Sequence, residues 1–168
     1  MVSLPVNELL SFVDLGRRPI RETNILNMIK IELRRLNDAF HMEAANDQGR
    51  TVQMDASPDI GGSNLGMRPM QLMLSALGGC SAIDVVNILR KQKQPLKDIR
   101  ITVTGEREKD AVPSLFVKAH IHFNLYGDID EGKAGKAVSL SVDKYCSVAK
   151  TLEKTATVTH SFEVIKDH

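Results

Sequence analysis

Tryptophan is absent from this chain, and aromatic residues make up only 4% of its 168 positions, so any core must be built from Leu, Ile, Val, Met and Ala. Cysteine is scarce too. Two cysteines cannot form the disulfide framework of a small secreted domain, which leaves one bridge, a shared ligand or redox chemistry. Neither sign of charge prevails: 22 basic against 21 acidic residues give a formal +1, which argues against a broad nucleic-acid or membrane-binding surface. The pairs Arg17-Arg18 and Arg34-Arg35 are too few and too scattered to suggest nucleic-acid recognition. No positively charged segment precedes a long apolar run at the start, so no secretory signal is expected and a cytoplasmic location is. The apolar share, 42%, argues against disorder along the whole length.

The longest apolar stretch, Met70 to Leu89, is interrupted by Ser75, Gly78, Gly79, Ser81, Asp84 and Asn87, and it reads as a buried helix rather than a membrane span. Pro69 suits the first turn of that helix, which is expected to run to about Lys93 and to be enclosed by sheet or by another subunit. Upstream, residues 1–27 form a separate N-terminal extension, and the domain proper occupies 28–168. Three short strands are expected between Asn27 and Asp55, with Ile29, Ile31 and Leu33 alternating in the first. Phe40 and Met42 alternate in the second, and Thr51 to Met54 make the third. Ser57 to Gly66 reads as a flexible polar crossing. After Pro95, Ile99, Ile101 and Val103 share a strand face. Leu115, Val117, Ala119, Ile121, Phe123 and Leu125 alternate in the next strand, with His120 and His122 opposite. A helix near Asp130 to Val142, a second helical segment to Leu152 and a final strand over Ala156 to Val164 complete an α+β fold.

Chemistry concentrates at two places. Leu77-Gly78-Gly79-Cys80-Ser81 puts adjacent glycines inside a helix, at roughly 1 kcal/mol each relative to alanine. Close backbone approach by a strand, a crossing helix or a ligand would offset that loss. In Asp143-Lys144-Tyr145-Cys146-Ser147, an N-cap at Asp143 would put Cys146 at the third helical position, where the helix terminus lowers a thiol pKa. Cys80 has no such help. Asp84 stands one turn later on the same face and, as an anion, opposes thiolate formation, so activation of Cys80 needs a cation from elsewhere, preferably arginine. The thiols lie 66 residues apart (146 − 80) and read either as two small packed hydrophobes or, if brought together, as a redox pair. His120 and His122 lack the cysteine or carboxylate spacing of a metal site, and Gly61 to Gly66 has no following Gly-Lys-Ser/Thr, so no metal or nucleotide cofactor is expected.

From about Met28 to Ile165 the sequence resembles the OsmC/Ohr superfamily, most closely its YhfA-like branch. The resemblance is carried by Arg68-Pro69-Met70, by LSALGGCSAIDVVNILRK from Leu74, by PSLFVKAHIHF from Pro113 and by DKYCSVAKTLEKTATVTHSFEV from Asp143. It implies an OsmC-like fold, with antiparallel sheets wrapped around a long central helix in an intertwined homodimer. Its implied activity is thiol-dependent reduction of organic hydroperoxides, with Cys80 attacking, Cys146 resolving and a dithiol completing the cycle without a cofactor. In the family an arginine stabilises the thiolate, usually backed by a glutamate. Arg34 or Arg35 matches that arginine first and Arg68 second, while the glutamate position matches the shorter Asp59. The alternatives are a thiol protein that handles or senses a small electrophile, and a ligand-binding dimer with inert cysteines.

Overall fold

The computed structural model describes residues 28–166; the N-terminal extension, 1–27, lies outside the described residues. Three strands open the domain: β1 (Ile31–Arg35), β2 (Met42–Asn46) and β3 (Thr51–Met54). They form one antiparallel sheet, with Leu33 opposite Ala44 and Ala44 opposite Val52. Asn37 makes the first turn by accepting the N–H groups of Ala39 and His41, which leaves Phe40 in the turn rather than in the expected second strand. Because opposed residues share a face, Ile31, Leu33, Met42, Ala44, Val52 and Met54 lie on one side. Ile31, Leu33 and Val52 are about half exposed, so among the described residues this apolar face is largely uncovered.

The crossing to the long helix is more ordered than a flexible linker. Asp55, only 2% exposed, accepts N–H groups from Ala56, Ser63 and Leu65 and so gathers both ends of the segment around one carboxylate. The Leu65 N–H, with those of Ser63 and Ala56, outweighs burial and holds the Asp55 carboxyl below its usual value. Its stabilisation is therefore complete above the ordinary aspartate value of about 3.9 and is lost as pH falls through the lowered folded value. Asp55→Asn is expected to be less stable than the parent at neutral pH, with the gap closing in acid. Circular dichroism melts across the acid range would show a constant gap if the carboxylate charge were irrelevant.

Helix α1 (Pro69–Lys91) begins with Pro69 and a capping pair in which Gln71 accepts the Arg68 N–H; it stops just short of the expected end. By length and composition it could cross a membrane, yet Leu77, Gly78, Ser81, Val85 and Leu89 turn one side of it into the core. A Cβ on Gly78 would lie 3.0 Å from Val103 Cγ2, so this glycine permits close approach to the second sheet. Among the described residues, the chain's own sheets do not enclose the rest of the helix. Met73, Ala76, Ile83 and Asn87 are exposed, and with half-buried Cys80 they mark a stripe at coiled-coil spacing that nothing covers among the described residues.

The second sheet contains β4 (Leu96–Arg107), β5 (Phe116–Gly127) and β6 (Thr157–Ile165) in that order. β4 and β5 are antiparallel, but β6 runs parallel to β5, correcting the expectation of antiparallel sheets throughout. The reason is the connection: a helical crossover between β5 and β6 brings the chain back to the same end before it re-enters the sheet. A register shift where Glu106 faces Lys118 and Arg107 faces Phe116 changes the phase of β5. Phe116 therefore enters the core, while Leu115 is exposed and Val117 only half buried; Ala119, Ile121, Phe123 and Leu125 keep the expected face.

The crossover comprises α2 (Glu131–Leu140), a π-helical turn at Ser141–Tyr145 and α3 (Ser147–Leu152). Asp130 caps α2 by accepting the Lys133 N–H, and the helical break expected near Ser141 is this π turn. Gly135 lets α2 settle on Phe162, where a Cβ would come 3.1 Å from the ring.

Candidate functional site

The site is built where α1 meets the π turn and α3. Ser141 Oγ donates to the Ser81 carbonyl at 3.0 Å, and the Cys146 N–H donates to the Ser141 carbonyl at 2.8 Å. Together they pin the π turn against the middle of α1. Cys146 is thereby delivered onto the helix, with its sulfur 4.0 Å from the Leu77 carbonyl oxygen, one turn before Cys80 and Ser81. The two thiols, remote in sequence, come near enough that Cys80 raises the Cys146 thiol.

Their environments differ. Cys146 is fully buried, and it is the N-cap of α3 itself, not its third residue: the Ala149 N–H donates to its sulfur at 3.4 Å. Burial nevertheless pushes the Cys146 thiol up, reversing the expected lowering. The Ser81 hydroxyl, buried and otherwise without a partner, draws it back, as does the Ala149 N–H, while the Cys80 sulfur raises it further. Cys80 is half-buried at the margin of the core and belongs to the open stripe of α1. One thiol is accessible and the other protected. Ser81, which sequence reading passed over, earns its place only from the packing, since a serine beside a cysteine in a helix has no signature of its own.

The other residues singled out by sequence lie apart from the sulfurs within one chain. Arg34 donates to Glu43 Oε1 from Nε at 3.0 Å and from Nη2 at 2.8 Å, and this guanidinium holds the Glu43 carboxyl below its usual value. Arg35 lies on the opposite, apolar face of the sheet, across from Met42, and donates weakly to the Asp38 carbonyl at 3.5 Å. Asp59 occupies a short 3-10 turn, Pro58–Ile60, and accepts from the Ser57 hydroxyl at 2.9 Å. Its own N–H and Ser57 lower its carboxyl, and the nearby Arg68 charge adds to the effect. Arg68 itself donates to the Gly66 carbonyl and to Asn64 Oδ1. No arginine hydrogen bond reaches either sulfur among the described residues.

Two hollows flank α1. A groove of about 640 Å³ runs between the helix and β4, lined by Gln71, Leu74, Ser75, Gly79 and Ile101 among others. A second, of about 420 Å³, lies under the first sheet and combines Phe40, Met42, Met54 and Met70 with Arg68 and Arg107. Both have mainly apolar walls. On the far face of the second sheet, His120 and His122 share the Ser161 hydroxyl at 2.9 and 2.8 Å, and Thr159 and Asn124 complete their partners. Among the described residues, no group of three or more His, Cys, Asp or Glu side chains could hold a metal ion.

Known proteins give this geometry a context. A family model described as OsmC-like protein matches residues 61–161. Protein YhfA of Escherichia coli strain K12 is 48% identical over 98 residues, which is 58% of this chain and 72% of that protein. A hypothetical protein from Aquifex aeolicus VF5 superposes with a TM-score of 0.73 at 29% identity, covering 85% of this chain and all of that one, 100%. The organic hydroperoxide resistance protein OhrB of Bacillus subtilis has a TM-score of 0.58 at 18% identity, covering 81% and 98% of the two chains, a likeness of fold. With a family model spanning both cysteine-bearing helices, the chain belongs to the OsmC-like protein family.

Proposed function

We propose that this protein reduces organic hydroperoxides by a two-thiol cycle at sites completed by a second copy of the chain. The observation that carries the reading is the pairing of an accessible thiol on α1 with a buried thiol at the N-cap of α3. In the first step the Cys80 thiolate attacks the distal peroxide oxygen and becomes a sulfenic acid, while the alkoxide leaves and takes a proton. Cys146 then displaces the sulfenic oxygen as water, giving a Cys80–Cys146 disulfide. A dithiol returns both to thiols and leaves as its own disulfide. The raised Cys146 thiol suits the second role, because it stays protonated until the sulfenic acid forms beside it.

The described residues of a single copy leave a large apolar surface open. The apolar face of β1–β3, the Cys80 stripe of α1 and the groove beside Gly79 are each too apolar to remain in water together. Packing two chains so that the sheet face of one covers the helix of the other would bury most of this apolar surface and leave Cys80 at the edge of the contact, open to substrate. Arg35 shares that sheet face and would travel with it, whereas Arg34 is on the other side and engaged by Glu43.

The test is consumption of an alkyl hydroperoxide with a dithiol as reductant, read together with the intact mass of the oxidised protein. Turnover and loss of two hydrogens from the chain are expected; no consumption by the reduced dimer would reject the reading. The apolar walls of the groove at Gly79, next in sequence to Cys80, also favour an alkyl group, so turnover of an organic hydroperoxide should exceed that of hydrogen peroxide at equal concentration by roughly tenfold or more. A preference for hydrogen peroxide would assign the apolar surfaces to assembly alone.

A further inference from the structure

Ser81 is fully buried, and its hydroxyl has no hydrogen-bond partner. Inside a helix a serine hydroxyl that leaves water ordinarily turns to the carbonyl four residues back. Ser75, on the same helix, makes that bond to the Gln71 carbonyl at 3.1 Å. For Ser81 the corresponding carbonyl is that of Leu77, and it is the one the Cys146 sulfur faces at 4.0 Å. A buried hydroxyl without a partner is costly, so its presence here calls for a partner in another state of the molecule.

Ser141 fixes how Ser81 and Cys146 meet. Its hydroxyl donates to the Ser81 carbonyl and its own carbonyl accepts the Cys146 N–H, so one residue holds both in register. The Ala149 N–H donates to the Cys146 sulfur at 3.4 Å. As a thiol, Cys146 directs its hydrogen toward the Leu77 carbonyl and asks nothing of Ser81. As a thiolate it becomes an acceptor only, and a rotating hydroxyl beside it can supply the donor that burial has taken away. Burial pushes the Cys146 thiol up, and the Ser81 hydroxyl is the first of the groups that draw it back.

The ionisable groups on the surrounding elements leave this role open. From α1 come Asp84, an acid, and Cys80, which raises the Cys146 thiol further. In the π turn, Asp143 is engaged by His160 of β6, and Lys144 lies over the Tyr145 ring. Lys150 of α3 pairs with Glu153, and Glu131, Lys133 and Lys136 of α2 are exposed.

We propose that the Ser81 hydroxyl joins the Ala149 N–H as a two-donor cradle for the Cys146 sulfur when it ionises and attacks Cys80. This role deepens the hydroperoxide reading and rests on it for the order in which the thiols react. In that step the Cys80–Cys146 bond forms, the S–O bond of the Cys80 sulfenic acid breaks, and the Cys146 proton leaves with the sulfenic hydroxyl as water. The cradle leaves the sulfur protonated at rest and meets the charge only as it develops.

The step can be read without peroxide. A symmetrical aromatic disulfide of the dithiobis(nitrobenzoate) type reacts with Cys80 to give a mixed disulfide and one aryl thiolate. Cys146 then loses its proton to solvent, attacks the Cys80 sulfur and releases the second aryl thiolate. In the full-length parent, the rate of the second release should rise with pH through the midpoint of Cys146 ionisation. Ser81→Ala is expected to raise that midpoint by about one unit and, below it, to slow the second release relative to the first by about tenfold. Above the raised midpoint the two proteins should converge. Ser81→Thr, which keeps the hydroxyl, should stay nearer to the parent than Ala. The melting temperature of Ser81→Ala should equal or exceed the parent's, because an unpartnered hydroxyl is removed from a helix. A midpoint that falls or stays put in Ser81→Ala, a slowing that is the same at every pH, or a parent with no second release overturns the proposal. Consumption of alkyl hydroperoxide by the parent is measured separately, so failure of the hydroperoxide cycle is distinguishable from failure here.

Discussion

Cys80→Ser is expected to reduce hydroperoxide turnover to the background of the reagents, a loss on the order of a thousandfold or more, while Cys146→Ser leaves the first chemical step intact. The asymmetry follows from the unequal environments of the sulfurs. Cys80 lies at the surface of α1 where a substrate can reach it, whereas Cys146 is sealed behind the π turn and raised by burial. Serine at 80 removes the nucleophile. Serine at 146 removes only the partner, so one equivalent of peroxide should still be consumed rapidly and the protein should gain one oxygen. With a large excess of an external monothiol, Cys146→Ser should recover slow turnover, since that thiol can take the place of the missing sulfur. Stopped-flow consumption with parallel intact-mass measurement separates the cases. Loss of the first equivalent in Cys146→Ser but not in Cys80→Ser would mean that Cys146 attacks, and retention in both would mean that neither sulfur does.

The same asymmetry marks the limit of what the linear sequence carries. The motif around Gly78-Gly79-Cys80 and the second segment around Cys146 were legible, because strong apolar periodicity and a family resemblance fixed the elements that bear them. Which thiol is protected was not. Sequence reading put the N-cap at Asp143 and so gave Cys146 a lowered pKa; the π turn adds an offset that makes Cys146 the cap, and packing against Leu77 and Ser81 adds desolvation. A local rule about helix termini was outweighed by burial, a tertiary quantity. The register of β5 failed for a related reason: alternation read from Leu115 onward was regular, but pairing with β4 inserts one residue, and Phe116 takes the core position. Direction was also hidden, since a final strand after two helices can enter a sheet either way until its neighbour is known. Asp55 escaped notice because a carboxylate that organises ten residues of loop looks, in sequence, like any aspartate after a strand. Arg34 and Arg35 both lie on the first strand, and only the pairing with β2 shows that they take opposite faces, something adjacent arginines in a sequence do not tell.

Gly79 provides the sharpest test of whether a second chain completes the site, because the two alternatives predict opposite signs. Among the described residues, a Cβ at Gly79 would meet nothing within 4 Å, in contrast to Gly78, which faces Val103. If the groove beside it were solvent, Gly79→Ala would simply remove the helix penalty of glycine and stabilise the protein by about 0.8–1 kcal/mol, and Gly79→Leu would be similarly tolerated. If another chain packs there, Ala should crowd it and Leu should exclude it. We expect Gly79→Leu to keep the helical circular dichroism of the chain, to sediment as a monomer at concentrations where the parent is a dimer, and to lose hydroperoxide turnover together with assembly. The coupled loss follows from the uncovered stripe: Cys80 is on the same helix as Gly79, so whatever leaves the groove also leaves the site around that thiol incomplete. Retained dimerisation and turnover in Gly79→Leu, with a raised melting temperature, would mean that the adjacent glycines serve only the contact of Gly78 with β4 and that the active unit lies within one chain.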